Sequence, residues 1–112
     1  PAYPHMHHYI FSNSLEFENP NEQVMVVKQD LSEVRKLKAT EGSDIYLCGG
    51  GIFAGWLLEN KLIDTVKLKL NPIILGGGTP LFGDSQVAIK LHQTNAEEFE
   101  GGLSLRTYDV QY

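Results

Sequence analysis

Three consecutive glycines, Gly49, Gly50 and Gly51, are the residues of this sequence best suited to hold a ligand. An apolar run rich in β-forming residues precedes them at positions 45–48, and apolar residues at helical spacing follow at positions 52–57. This order predicts a strand, a glycine turn and a helix. Backbone can approach a ligand closely at such a turn because no Cβ intervenes, and the N–H groups that open a helix favour phosphate. The alternative is a tight turn without a ligand, since the fuller spacing GxGxxG is absent.

The elements that would position these glycines follow from the apolar patterns on either side. Residues 9–11 and 24–27 read as strands, and Asp30 with Glu33 forms a capping-box pattern that opens a helix. Gly42 should end that helix at about Glu41.

The second half of the chain continues with a helix from the glycine turn to about Asn60 and a strictly alternating strand at residues 65–70. Two further strands are expected at residues 86–93 and 103–112. Between them the sequence predicts a turn around Asn95, a possible short strand at 97–99 and a Gly101-Gly102 turn.

The resulting order is β-β-α-β-α-β followed by an antiparallel β tail. It predicts an α/β sheet with helices on its faces and mixed strand direction at one edge.

Length and composition restrict the class of protein. At 112 residues the chain is one small domain or part of one, and its opening Pro-Ala-Tyr-Pro is expected to be a cut end. A net charge of −5 argues against a nucleic-acid surface, and no apolar stretch approaches the roughly 20 residues that span a bilayer. The lone cysteine, Cys48, excludes an internal disulfide and is expected to be a packing residue. We therefore expect a cytoplasmic protein without nucleic-acid or membrane partners.

The run from Asp44 to Phe82, DIYLCGGGIFAGWLLENKLIDTVKLKLNPIILGGGTPLF, resembles the dihydrofolate reductase superfamily. It is most similar to the C-terminal reductase domain of riboflavin-biosynthesis deaminase–reductases. The resemblance implies a three-layer α-β-α fold around a central mixed, mainly parallel sheet with an antiparallel C-terminal edge. Residues 1–112 would form a single incomplete domain, the C-terminal portion of this fold, with the N-terminal strands missing from this chain.

The resemblance also assigns roles to the glycine turn. Gly49, Gly50 and Gly51, with the N–H groups of Ile52 and Phe53, would bind the pyrophosphate of a nicotinamide dinucleotide. The first Gly-Gly peptide bond would be cis, as is typical of the family.

A second set of residues would bind the adenosine end of the cofactor. Ser12 and Asn13 would lie beside the 2′-phosphate, and Lys28 near the same end. Many relatives have Arg directly after this Ser, and Asn13 cannot supply its charge. The expected cofactor is therefore NADPH (NADP), with a modest preference over NADH.

The implied function is part of an NADPH-dependent reductase that transfers hydride to a pterin-like or pyrimidine-like heterocycle. The run LIDTVKLKLNPIILGGGTPLF points away from dihydrofolate reductase itself. A non-catalytic nucleotide-binding or oligomerisation module on the same fold is the alternative. No catalytic residue is assigned, and no metal site is predicted because His5, His7 and His8 lie in a proline-flanked segment without an acidic partner.

The resemblance finally implies a partner. In the family two N-terminal strands flank the glycine strand, so residues 44–48 would otherwise have bare edges on both sides. We expect the N-terminal half of the same protein or a second protomer to fill these positions, and a homodimer that pairs through its sheet edge.

Overall fold

The computed structural model describes residues 6–12 and 24–112, and within them the chain is mixed α/β. It divides between Ile45 and Tyr46 into two compact units. The described elements, in chain order, are strands β1 (His8–Phe11) and β2 (Val24–Val27), helices α1 (Leu31–Ala39) and α2 (Gly51–Glu59), and strands β3 (Thr65–Leu70), β4 (Lys90–Glu98) and β5 (Ser104–Gln111).

The first unit contains a parallel pair of strands and one helix. β1 and β2 are strands, as their short apolar runs predict. They pair in parallel from His8 opposite Val24 to Phe11 opposite Val27. Parallel pairing places the carboxyl ends of both strands at the same end of this two-stranded sheet.

Asp30 caps helix α1, as predicted, although its partner is not the expected one. The Asp30 carboxylate accepts hydrogen bonds from the backbone N–H (2.8 Å) and the hydroxyl (2.9 Å) of Ser32. These bonds lower the pKa of Asp30. Glu33 instead lies 3.7 Å from the Lys36 ammonium.

Helix α1 ends at Ala39, two residues before the predicted end. Thr40 adopts extended backbone, its N–H donates to Leu37 O and its hydroxyl donates to Lys36 O. The Thr40 side chain thus satisfies a last-turn carbonyl before Gly42 is reached.

The predicted strand at residues 45–48 is wrong. No strand forms there, and Ile45, Tyr46 and Leu47 are 54%, 69% and 38% exposed. An apolar run indicates a need for burial, but a strand also needs a hydrogen-bonded neighbour. Among the described residues, the strands form the sheets β1-β2 and β3-β5-β4 and leave none beside this segment.

Helix α2 is more apolar than α1 and buries Ala54, Gly55, Leu57 and Leu58. It ends beside Asn60, as predicted, because the Asn60 amide donates to Trp56 O (2.8 Å). The following Lys61 takes a left-handed backbone (φ 59°), and the chain turns into β3.

Backbone from residues 80–85 lies directly against the first two turns of α2. A Cβ on Gly51 would meet Gly83 N at 2.9 Å, and one on Gly55 would overlap the Phe82 carbonyl oxygen. Gly83 itself has a φ of 57°, and its own Cβ would be 2.9 Å from Ile52 N. This packing therefore requires glycine at all three positions.

The second unit also contains an antiparallel sheet of order β3-β5-β4. β3 has the predicted bounds, with Val66 buried and Lys67 exposed. Leu68 pairs with Arg106, and Leu70 pairs with Ser104, so these four residues share one face.

The predicted turn around Asn95 is wrong, and so is the early start of the preceding strand. β4 is one continuous strand from Lys90 to Glu98, with a bulge between Gln93 and Asn95. The bulge accommodates an extra residue without ending the strand, and the Thr94 hydroxyl there donates to Thr107 O (3.3 Å).

The predicted Gly101-Gly102 turn is confirmed. The two glycines have φ values of 88° and 89°, and Phe99 N donates to Leu103 O (2.8 Å) across the turn. β5 then begins within one residue of its expected start.

Tyr112 ties the end of the chain to the α2–β3 connection. Its hydroxyl donates to Ile63 O (2.7 Å) and accepts from Ile63 N (3.0 Å). Partial burial raises the pKa of Tyr112, and the Asp64 carboxylate acts in the same direction.

We expect Gly55→Ala to destabilise the fold by roughly 1–3 kcal/mol, because the added methyl overlaps the Phe82 carbonyl. Denaturant unfolding measures the change. Gly49→Ala is the matched control: it adds the same methyl where no atom lies within 4 Å, and its free energy of unfolding should stay within about 0.5 kcal/mol of the parent. Equal losses in both variants would contradict the packing argument.

We expect the free energy of unfolding to fall as the pH rises from the ordinary Tyr pKa of 10.0 past the raised pKa of Tyr112 in the folded protein. A raised folded pKa stabilises the protein fully below the unfolded value and loses that contribution above it. Tyr112→Phe should lower stability at neutral pH by roughly 0.5–1.5 kcal/mol and flatten the alkaline decline. Unfolding curves from neutral to alkaline pH test this, with Tyr46→Phe as an exposed control. Parallel curves for Tyr112→Phe and the parent would count against it.

Candidate functional site

The glycine turn leaves open space at its first two positions. Neither Gly49 nor Gly50 has a positive φ, and no atom lies within 4 Å of the place where either would carry a Cβ. The fold therefore does not require glycine at these two positions, in contrast to Gly51. Glycine at these two positions leaves room for another molecule to approach the backbone closely.

The predicted cis bond between Gly49 and Gly50 is wrong: no peptide bond among the described residues is cis. A cis bond between non-proline residues costs about 2.5–4 kcal/mol and persists only where its surroundings enforce it. The open space around both glycines provides no such enforcement.

The turn leads directly into the amino end of α2. Gly50 is the N-cap residue, with extended backbone (φ −70°, ψ 159°) and no side chain to cap the helix. Ala54 N donates to Gly50 O, and the N–H groups of Gly51 and Ile52 lie before this bond at the start of the helix, with Phe53 in the same turn. Ile52 is 74% exposed, and no acidic residue lies in the first turn. The positive end of the helix dipole is therefore available to an anion.

The residues expected at the adenosine end lie in the first unit. Ser12 follows β1 and Lys28 follows β2, and Ser12 N donates to Val27 O (2.8 Å). The parallel pair thus holds a hydroxyl and an exposed ammonium at one edge, a combination that can bind phosphate. Asn13, the third residue expected there, lies outside the described residues.

A small cavity on the side of α2 was not predicted from the sequence. It measures about 190 Å³ and is lined by Ile52, Trp56, Phe82 and Asp84, among others. Trp56 is half-buried and stacks on Phe53 with ring centroids 5.7 Å apart. The signal for this surface is the spacing of Gly51 and Gly55, which marks a helix face that backbone approaches closely.

The remaining reactive side chains do not form a second candidate site in the described part of the chain. No group of three His, Cys, Asp or Glu side chains there could hold a metal ion. Cys48 is exposed, which corrects the expectation of a packed cysteine, because no strand forms around it. None of the described helices is both long and apolar enough to cross a membrane.

The chain resembles two proteins of Bacillus subtilis (strain 168). It is 35% identical to the uncharacterized protein YyaP over 95 residues, which cover 85% of this chain and 50% of YyaP. It is 23% identical to the uncharacterized protein YwjB over 107 residues, which cover 94% of this chain and 62% of YwjB. The chain thus spans between half and two-thirds of the length of these relatives.

Two solved structures have a similar fold. A candidate riboflavin biosynthesis protein from Shewanella sp. PV-4 superposes with a TM-score of 0.77 at 29% identity, over 93% of this chain and 60% of that protein. A pyrimidine reductase-like protein from Corynebacterium diphtheriae superposes with a TM-score of 0.64 at 22% identity, over 86% of this chain and 48% of that protein. The second likeness concerns the fold alone.

The sequence model of the RibD C-terminal domain matches residues 5–105, which include the glycine turn, helix α2 and the long loop after β3. This match confirms the resemblance drawn from the run between Asp44 and Phe82. The chain belongs to the RibD C-terminal domain family, a family of reductase domains from riboflavin biosynthesis.

Proposed function

We propose that this chain supplies the nucleotide-binding part of an NADPH-dependent reductase that transfers hydride to a pterin-like or pyrimidine-like heterocycle. The observation that carries the proposal is the open pair Gly49 and Gly50 at the amino end of α2. Family membership supports a reductase, and this open pair supports the dinucleotide. The three-layer arrangement of the dihydrofolate reductase fold is part of the proposal.

Steric and electrostatic reasons favour a pyrophosphate at this turn. A side chain at Gly49 or Gly50 would occupy the space through which the backbone N–H groups reach the phosphate oxygens. The first turn of α2 adds positive potential and contains no carboxylate of its own. In this proposal Gly51, Ile52 and Phe53 contribute backbone donors rather than side chains.

The adenosine end would lie at the carboxyl ends of β1 and β2. Ser12 can donate a hydrogen bond to a 2′-phosphate, and Lys28 can approach it as a point charge. Asn13 offers an amide where an Arg would bind the phosphate bidentately. This composition supports NADPH over NADH by a modest margin.

Bound NADPH would supply the hydride, and the protein has mainly to hold and shield the reactants. Gly49 and Gly50 would hold the cofactor pyrophosphate, and Ser12 and Lys28 would each contribute a polar contact to its 2′-phosphate. No described side chain is assigned proton transfer.

Further polypeptide is part of the proposal, either an N-terminal half of the same protein or a second protomer. The exposed apolar side chains of Ile45, Tyr46 and Leu47 support it, because a partner strand would bury them and pair their backbone.

Binding and turnover measured together test the function. NADPH should bind the protein and be oxidised when a pyrimidine-like or pterin-like acceptor is added to the chain with its partner polypeptide. Binding without oxidation of NADPH by any such acceptor would indicate a non-catalytic nucleotide-binding module. An absence of nucleotide binding would reject both functions.

We expect Gly49→Ala to weaken NADPH binding at least about tenfold, because a methyl would stand between the turn and the pyrophosphate. Titration followed by nicotinamide fluorescence measures the dissociation constant. Gly77→Ala is the matched control, since it adds a methyl at an equally open glycine of the other Gly-Gly-Gly run. Unchanged affinity in Gly49→Ala, with the parent's thermal stability, would refute the assignment.

We expect NADPH to bind more tightly than NADH, with Lys28→Gln reducing the difference by weakening NADPH alone. The ammonium interacts with the 2′-phosphate, which NADH lacks. Dissociation constants of both nucleotides for the parent and the variant provide the measurement. Lys67→Gln removes the same charge from exposed β3 and serves as the control. Equal or tighter binding of NADH by the parent would exclude the proposed preference.

A further inference from the structure

The first turn of helix α2 has few restraints of its own. Gly50, the N-cap residue, makes no side-chain hydrogen bond to the turn, and a second glycine, Gly51, begins the helix. Glycine loses more conformational freedom on folding than any other residue. The backbone bond from Ala54 N to Gly50 O (3.1 Å) closes the turn. The glycines that leave space for a ligand therefore also weaken the turn that would bind it.

The backbone of residues 80–85 supplies a restraint from outside the helix. Gly83 lies against the peptide group between Gly51 and Ile52, because a Cβ on Gly83 would be 2.9 Å from both Gly51 C and Ile52 N. The Pro80 carbonyl oxygen lies against the same turn, at the place where Gly51 would carry a Cβ. The Ile52 N–H belongs to this peptide group and is one of the proposed phosphate donors. Residues 80–85 thus hold the backbone that would contact the ligand.

These residues are ordered by bonds of their own. Gly83 N donates to Pro80 O (3.3 Å), and Ser85 N donates to Phe82 O (3.2 Å). The ring of Pro80 fixes its φ, and the Phe82 side chain is half-buried. Two successive short turns make this segment stiff enough to restrain a neighbouring helix.

Contact with α2, rather than backbone conformation, explains why residue 83 is a glycine. Gly83 has a φ of 57°, and Lys61 has nearly the same φ (59°) with a full side chain. A left-handed backbone therefore does not by itself require glycine in this chain. A Cβ at residue 83 would be 2.9 Å from backbone atoms of Gly51 and Ile52, a distance that real Cβ atoms essentially never show.

We propose that Gly83 is a positioning residue of the nucleotide site: its close contact holds the first turn of α2 in the conformation that binds the cofactor pyrophosphate. This inference rests on the proposed function and assigns to that site a residue that acts through Gly51 and Ile52. Donors that are held in place before a ligand arrives bind it more tightly, because less ordering entropy is lost on binding. The contact thus compensates for the weakness that Gly50 and Gly51 introduce.

An asparagine at position 83 tests the proposal. Asn accepts a left-handed backbone better than most residues, so Gly83→Asn mainly adds a Cβ that forces the two segments apart. The dissociation constant for NADPH should rise at least about fivefold, as expected when a hydrogen bond to a charged phosphate is misaligned. Fluorescence titration of the chain with its partner polypeptide measures the constant. Gly101→Asn is the matched control and should bind NADPH like the parent, because Gly101 has a φ of 88° and no atom within 4 Å of its Cβ position.

Hydrogen exchange separates positioning from a general loss of stability. The Ala54 N–H reports on the first turn of α2, and the Leu62 N–H, which donates to Leu57 O (2.9 Å), reports on the other end of the helix. Without ligand, both should be protected in the parent. In Gly83→Asn the exchange of Ala54 should accelerate at least about tenfold while that of Leu62 stays the same, because only the first turn opens. A general destabilisation would accelerate both.

The outcomes separate this inference from the proposed function. A parent that binds no NADPH would reject the function, and the inference with it. A parent that binds NADPH, together with a folded Gly83→Asn variant of equal affinity, would overturn the inference alone. So would a ligand-free parent in which the Ala54 N–H exchanges like an unstructured amide while the Leu62 N–H is protected, a measurement that needs no variant.

Discussion

The close contact between helix α2 and the backbone of residues 80–85 determines where the other parts of the second unit lie. It brings a loop carbonyl to the helix surface, and that approach is possible only because Gly51, Gly55 and Gly83 lack side chains. The contact covers one side of the first turns of α2 and leaves the space beside Gly49 and Gly50 open. Proteins tolerate such backbone-to-backbone packing where glycine removes the Cβ on both sides.

This constraint separates two uses of glycine within one short run. Gly51 is explained by an internal neighbour, whereas Gly49 and Gly50 have none. The three adjacent glycines therefore have different structural reasons. The third allows close packing inside the protein, and the first two leave space for another molecule. In the sequence the three look like one motif, but packing already explains why residue 51 is a glycine, even where its backbone N–H also serves a ligand.

The sequence predictions were accurate where a single property of the segment decided its structure. The alternation of Thr65–Leu70 fixed β3 because burial on one face is a property of the strand itself. The Asp30 carboxylate accepts from Ser32 and not from Glu33, since several neighbouring donors compete for one carboxylate. The strand prediction for residues 45–48 failed because a strand needs a hydrogen-bonded neighbour, which the composition of the segment does not reveal. The turn prediction at Asn95 failed because a bulge and a turn favour the same residue types. The glycine turn before α2 was predicted from the sequence, but the open space beside Gly49 and Gly50 was not.

The central position of β5 in its sheet has a consequence for folding during synthesis. Its neighbours are β4, which precedes it by one tight turn, and β3, which lies far upstream in the chain. β4 and β5 can therefore pair by closing a short loop, whereas β3 leaves the ribosome before Ser104–Gln111 does and lacks its partner strand until β5 follows. Its exposed Lys67 and Lys69 then keep one side of an unpaired strand charged during that interval, which protects the nascent chain from association with its neighbours.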